Sequence, residues 1–195
     1  MKYASRAGEK LDHAFITFHI NIAEKTCADF GASTGGFVDC QLQFGAKKVY
    51  AVETGYGLLD WKLRNDPRVV VMERTNAMHV ALPEKVDFIS MDTSWTRIEN
   101  TIENALANLK QDGEIIVLIK PHYEASPRQL RKGKLPEEHV PEVLLNVRET
   151  LSKFHVDVLG ETESPIVGSK GGNREWLMHL KIKKMNRITV QEEVA

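Results

Sequence analysis

Five short apolar runs, each followed by a stretch of helical spacing, leave this chain few architectures to adopt. The runs are TCADF (26–30), KVYAVE (48–53), RVVVME (68–73), VDFISMD (86–92) and EIIVLIK (114–120). Helix-compatible segments separate them at about 35–45, 58–65, 76–82 and 98–110. An amphipathic helix precedes them, with Leu11, Ala14, Phe15 and Phe18 on one face. A longer helix is expected from about 136 to 153, where Val140, Val143, Leu144, Val147 and Leu151 share a stripe. Two more strands, HVDVLGE (155–161) and EWLMHLKI (175–182), complete the pattern. Strands apolar on both sides belong to a mainly parallel sheet covered on both faces. The expectation is an α/β fold: a Rossmann-like, doubly wound sheet of seven strands with helices on both faces. The last two strands are joined by SPIVGSKGGN and no helix, so the final strand is expected to run antiparallel. Residues 1–184 read as one domain and 185–195 as a polar tail.

Composition narrows the class. A chain of 195 residues, 42% apolar and 27% charged, is long enough to bury a core and ordinary for a globular protein. No apolar run approaches the length of a membrane span, and the N-terminus has no secretory signal. Cys27 and Cys40 make neither a disulfide framework nor a metal-ligand spacing, so no metal is expected and the reading is cytoplasmic. With a net charge of −1, bulk electrostatics give no support to nucleic-acid binding. Two basic clusters depart from that average: Arg128, Arg131, Lys132 and Lys134 in a loop, and Lys181, Lys183, Lys184 and Arg187 near the C-terminus. Their plainer reading is solvated loop and tail charge.

Ligands of open α/β sheets bind beyond the carboxyl ends of the strands. The first strand ends at Asp29, the second at Glu53, the fourth at Asp92 and the fifth at Lys120. An antiparallel last strand would bring Glu175 to the same rim. Taken singly, Glu53 and Asp92 read as polar strand ends, Lys120 as a lysine reaching for solvent, and Glu175 as surface; together they surround one crevice. Gly31, Gly35 and Gly36 lie between a strand and a helix, where backbone can approach a ligand closely. Their spacing, G-x-x-x-G-G, is not the dinucleotide fingerprint, and no Lys-Ser/Thr follows to hold phosphates. Glu53, ending the next strand, suits a carboxylate accepting both hydroxyls of a ribose. The site reads as one for an adenosine-type ligand without polyphosphate, and S-adenosylmethionine fits.

The segments YASRAGEKL (3–11), the stretch from Asp29 to Ala77, LIKPHYEA (118–125) and SPIVGSKGGNREWL (164–177) together resemble the FtsJ-like RNA 2′-O-methyltransferases, most closely the TlyA group, often labelled haemolysin A. The resemblance implies a Rossmann-like methyltransferase sheet, S-adenosylmethionine as cofactor, and RNA as substrate, in the form of rRNA or a ribosomal subunit. It implies a catalytic Lys-Asp-Lys-Glu tetrad at Lys10, Asp92, Lys120 and Glu175, with Lys120 as base. Cofactor positions carried over are Asp29, Gly31, Ser33, Thr34, Gly35, Gly36, Phe37, Glu53, Asn76 and Asp92. Read from its helix alone, Lys10 is a solvated lysine. Members usually carry an S4 RNA-binding domain ahead of this block, so the expectation is a catalytic domain alone, with the 126–134 loop as a phosphate contact. Two departures flank the site: Thr93-Ser94-Trp95 stands where Leu-Ser-Phe is usual, and His122-Tyr123 where Gln-Phe is common. The rival readings are a non-catalytic RNA- or cofactor-binding protein, a small-molecule O-methyltransferase, and a membrane-lytic protein.

Overall fold

The computed structural model describes residues 1–168 and 172–183. The tail expected over 185–195, with Lys184 and Arg187, lies outside the described residues. Among the described residues, seven strands form one sheet: β1 (Thr26–Phe30), β2 (Lys48–Val52), β3 (Val69–Met72), β4 (Val86–Met91), β5 (Leu109–Ile119), β6 (Val156–Glu163) and β7 (Trp176–Ile182). Their order is β3-β2-β1-β4-β5-β7-β6. The first five are parallel, whereas β7 lies between β5 and β6 and runs antiparallel to both. The order reverses between β1 and β4, the point at which open α/β sheets form a crevice.

Successive side chains of each strand pass to opposite faces, and each face has its own core. Ile115, Val117 and Ile119 of β5 join Met178 and Leu180 of β7 on one face, under α4 (Ile102–Asn108) and α6 (Val140–Ser152). Ile116, Leu118, Phe88 and Leu177 face the other way, under α1 (Ala7–Thr17), α2 (Gly36–Gln43) and α3 (Trp61–Arg64). A short helix, α5 (Pro121–Glu124), begins with a proline directly after Lys120; the ring preorganises the first turn and ends the ladder of β5.

Three expected helices are altered, the first because side chains take its backbone groups. Over 76–82 no helix forms. The Asn76 carboxamide oxygen accepts the Met78 N–H at 2.9 Å, while Asn104 takes the carbonyls of Ala77 and Val80 at 2.8 and 3.0 Å. Asn108 donates to the Val80 carbonyl as well, at 2.9 Å. Over 58–65 only the four residues of α3 are helical, starting where Asp60 caps the Lys62 N–H at 2.8 Å. Over 98–110 a 3-10 turn (Ile98–Asn100) leads into α4, and the chain is already extended at Leu109, which pairs with Val86.

Replacing Ile116, fully buried in a central strand, with alanine should destabilise the fold by about 2–5 kcal/mol. The same change at Ile16, 62% exposed on α1, should shift it by about 0.5 kcal/mol or less. Urea unfolding of the two variants checks both values.

Candidate active site

Between β1 and α2 the chain turns on glycines that are required for different reasons. Gly31 has φ +96°, and a Cβ there would lie 2.6 Å from the Asp92 carbonyl oxygen, so only glycine lets the ends of β1 and β4 run this close. Gly35 (φ +97°) caps α2 and packs against Leu59 and Leu63. A Cβ on Gly36 would come within 2.9 Å of the Gly8 amide. Gly35 and Gly36 thus admit protein neighbours, and of the three glycines Gly31 alone lines the cleft above the sheet.

That cleft has a volume of about 770 Å³ and lies over the ends of β1, β2 and β4. Ser33, Glu53, Asn76 and Asp92 line it together with Gly31. The Glu53 carboxylate is held from both sides, accepting the Ser33 and Gly55 N–H groups at 2.8 Å each. The other expected cofactor positions lie elsewhere. Thr34 is exposed and holds the Asp60 N–H through its carbonyl at 3.1 Å. Phe37 is a core residue under α1. Asp29 is buried beneath the turn, where the Ser90 hydroxyl donates to Oδ1 at 2.6 Å and Gln41 donates to Ser90 at 2.6 Å. Burial pushes the Asp29 carboxyl up to about 8, and the neighbouring Asp92 and Glu53 carboxylates add to the shift.

A second cavity, of about 300 Å³, shares Gly31, Ser33, Asp92 and Ser94 with the first. Lys10, Lys120 and Glu175 line its walls. Lys120 Nζ donates to Asp92 Oδ1 at 2.5 Å, to the Thr93 carbonyl at 3.1 Å and to Ser94 Oγ at 3.2 Å. Lys10 Nζ donates to Glu175 Oε2 at 2.5 Å, with 6% and 4% of the two residues exposed. Four residues from α1, the positions just after β4 and β5, and the approach to β7 therefore meet as two ion pairs in one cavity. Lys10 is not the solvated lysine its helix suggests, because α1 buries Lys10 beside Leu11 and Ala14.

Sequence reading passed over Glu124, whose carboxylate accepts the Ile98 N–H at 2.8 Å and is pushed up to about 7 by burial. Nothing local marks it, because its partner belongs to another loop. The basic loop residues are all exposed, Arg128 on a 3-10 turn (Pro127–Gln129) and Arg131, Lys132 and Lys134 on a turn closed by the Arg131–Lys134 bridge. Among the described residues no group of three or more His, Cys, Asp or Glu side chains could hold a metal, and no helix is long and apolar enough to cross a membrane.

The FtsJ-like methyltransferase family matches residues 3–182. Hemolysin A of Brachyspira hyodysenteriae is 40% identical over 192 residues, which are 92% of this chain and 77% of that protein. The 16S/23S rRNA (cytidine-2′-O)-methyltransferase TlyA of Mycobacterium tuberculosis is 36% identical over 186 residues, covering 92% of this chain and 68% of that one. A solved structure from Streptococcus thermophilus, described as a hemolysin, superposes with a TM-score of 0.91 at 34% identity, over 97% of this chain and 71% of its own.

Asp29 gives the site a measurable pH signature. Its folded value of about 8 lies above the ordinary 3.8, so its contribution to stability is complete below about pH 4 and is lost as pH rises towards 8. Asp29→Asn keeps the acceptor for Ser90 and removes the titration. Urea unfolding across that range should show the variant gaining on the wild type as pH rises; a constant difference would mean that Asp29 does not hold its proton in the fold.

Proposed function

Because the chain belongs to the FtsJ-like methyltransferase family, we propose that it methylates a ribose 2′-hydroxyl of rRNA, with S-adenosylmethionine as methyl donor and Lys120 as base. The observation that carries this reading is the meeting of the Lys120–Asp92 and Lys10–Glu175 pairs in a cavity that opens onto the larger cleft.

The larger cleft fits a nucleoside that carries positive charge and no phosphate. Two of its lining residues, Glu53 and Asp92, are carboxylates, and Glu53 is already oriented by backbone N–H groups to accept ribose hydroxyls. When bound there, S-adenosylmethionine supplies a methyl group made electrophilic by its positively charged sulfur. Asp92 and the Thr93 carbonyl aim Lys120 Nζ, so that catalysis is largely positioning of the 2′-oxygen in line with the methyl. As the neutral amine, its own proton released to solvent, Lys120 would take the proton that the 2′-oxygen gives up as its bond to carbon forms, with the electron pair of the broken S–C bond left on sulfur. Lys10, fixed by Glu175, sets a second cation on the wall of the same cavity. Residues 1–184 form the catalytic unit, and the exposed 126–134 loop touches RNA phosphates through Arg128, Arg131, Lys132 and Lys134.

Transfer of labelled methyl from S-adenosylmethionine to separated ribosomal subunits and to naked rRNA tests the reading. Lys120→Ala should lower the rate by about a hundredfold or more while still binding the cofactor. Undiminished transfer by the variant would sink the base assignment. Cofactor binding by the wild type with no transfer to any RNA would favour a non-catalytic binding protein.

A further inference from the structure

Lys120 and Glu124 stand one helical turn apart, at the two ends of α5, and both reach across to the loop between β4 and Ile98. Lys120 Nζ binds the start of that loop, at the Thr93 carbonyl and Ser94 Oγ. The Glu124 carboxyl binds its far end, accepting the Ile98 N–H at 2.8 Å. Between the two ties Tyr123 stacks on Trp95, ring centroids 5.5 Å apart. The loop is under strain where it is held. Trp95 has φ +63°, which bulky residues rarely adopt, and strain of this kind persists only where the surroundings enforce it. The helix that supplies the ties is itself fixed: Pro121 and Ala125 are buried, and the Ala125 N–H binds the Pro121 carbonyl at 2.9 Å.

Two of the three acceptors that hold Lys120 Nζ, the Thr93 carbonyl and Ser94 Oγ, belong to this loop. Only Trp95, Thr96 and Arg97 separate Ser94 from Ile98, so a shift at Ile98 is passed to the groups that aim the amine. We infer that Glu124 is a positioning residue for methyl transfer: by holding Ile98 it keeps the Thr93 carbonyl and the Ser94 hydroxyl where they direct Lys120. The inference rests on the methyltransferase reading for what Lys120 does, whereas the tie between α5 and the loop does not. The tie also responds to protons. Arg97 and Glu99 approach the Glu124 carboxyl from the loop and Lys120 from its own turn; Val143, Asn146, Val147 and Thr150 of α6, across a cavity of about 250 Å³, carry no charge. Burial outweighs the Ile98 N–H and Arg97, which favour the anion, and pushes the carboxyl up to about 7 from its ordinary 4.5. The tied loop therefore favours the protonated form, whose carbonyl oxygen still accepts the Ile98 N–H. As pH rises above about 7, ionisation disfavours the tied loop by about tenfold for each unit.

Two variants of the whole chain test this, with rRNA as methyl acceptor. Glu124→Gln keeps an acceptor for the Ile98 N–H and removes the titration, whereas Glu124→Ala removes both. At about pH 6, Glu124→Ala should lower kcat by about tenfold to a hundredfold and leave the affinity for S-adenosylmethionine unchanged. Glu124→Gln should restore the wild-type rate at that pH and exceed it by a growing factor above about pH 8. Hydrogen exchange over residues 93–98 should be faster in Glu124→Ala and unaltered in Glu124→Gln. A residue kept only for the fold would leave Glu124→Gln as impaired as Glu124→Ala, and that result overturns the positioning role. So does an unaltered kcat in Glu124→Ala. A ratio of Glu124→Gln to wild type that stays flat as pH rises overturns the part played by the proton. A wild type that transfers no methyl to any RNA, while the variants show the expected exchange, supports the tie and overturns the methyltransferase reading instead.

Discussion

Lys10 and Glu175 are opposite charges withdrawn almost completely from water, and most of the rim is arranged so that they can meet. Desolvating either ion costs several kcal/mol, which is recovered only when the partner stands at hydrogen-bond distance. Glu175 lies at the rim because β7 runs antiparallel and therefore starts where β5 ends. Lys10 gets there because α1 lies directly on the start of α2, at a contact so close that a Cβ on Gly8 would come within 2.7 Å of the Gly36 carbonyl oxygen. The approach to β7 is tied in as well, through Ser164 N–H to the Glu175 carbonyl at 2.8 Å and Arg6 to the Val167 carbonyl at 3.1 Å. One ion pair thus joins the first helix to the last strand across the mouth of the site.

Three carboxylates crowd the ends of the neighbouring strands β1, β2 and β4, and each is made tolerable in a different way. Asp29 is buried and favours its protonated form, with a single hydroxyl on Oδ1. Glu53 is held by two backbone N–H groups. Asp92 is paired with Lys120. Two of the three remain open to the cleft, which suits a cationic ligand with hydroxyl groups better than a phosphorylated one. The pairing of Lys120 has a second consequence, because the same amine pins the loop that carries Trp95.

The strands were readable because their signal is local. TCADF occupies β1 over the residues expected, and the polar residues Glu53, Asp92 and Lys120 each stand one place beyond their strands, as a ladder ending in water requires. The segment 76–82 was misleading for the opposite reason. Its apolar spacing is helical, but its carbonyls are captured by Asn104 and Asn108, whose position above it depends on how α4 packs. Among the site residues, the rim carboxylates and Lys120 followed from strand ends, whereas Lys10 did not, since its partner lies 165 residues away. The glycine turn was half legible. Its need for backbone freedom was plain, but which glycine lines the cleft and which faces Leu63 or Gly8 depends on neighbours remote in the chain.

Periodicity by itself determined the number of strands, the covering of both faces and, through the loop that replaces a crossover helix, the reversal of the last strand. These are properties of residues a few positions apart, where a period of two or of 3.6 acts directly on the backbone. Tertiary structure alone decided which charges pair, which carboxyl keeps its proton and how Trp95 is held in a backbone it would not choose. The reason is that the free energy of a desolvated charge or a strained residue depends on the few groups within about 4 Å of it, and in this fold those groups come from opposite ends of the chain.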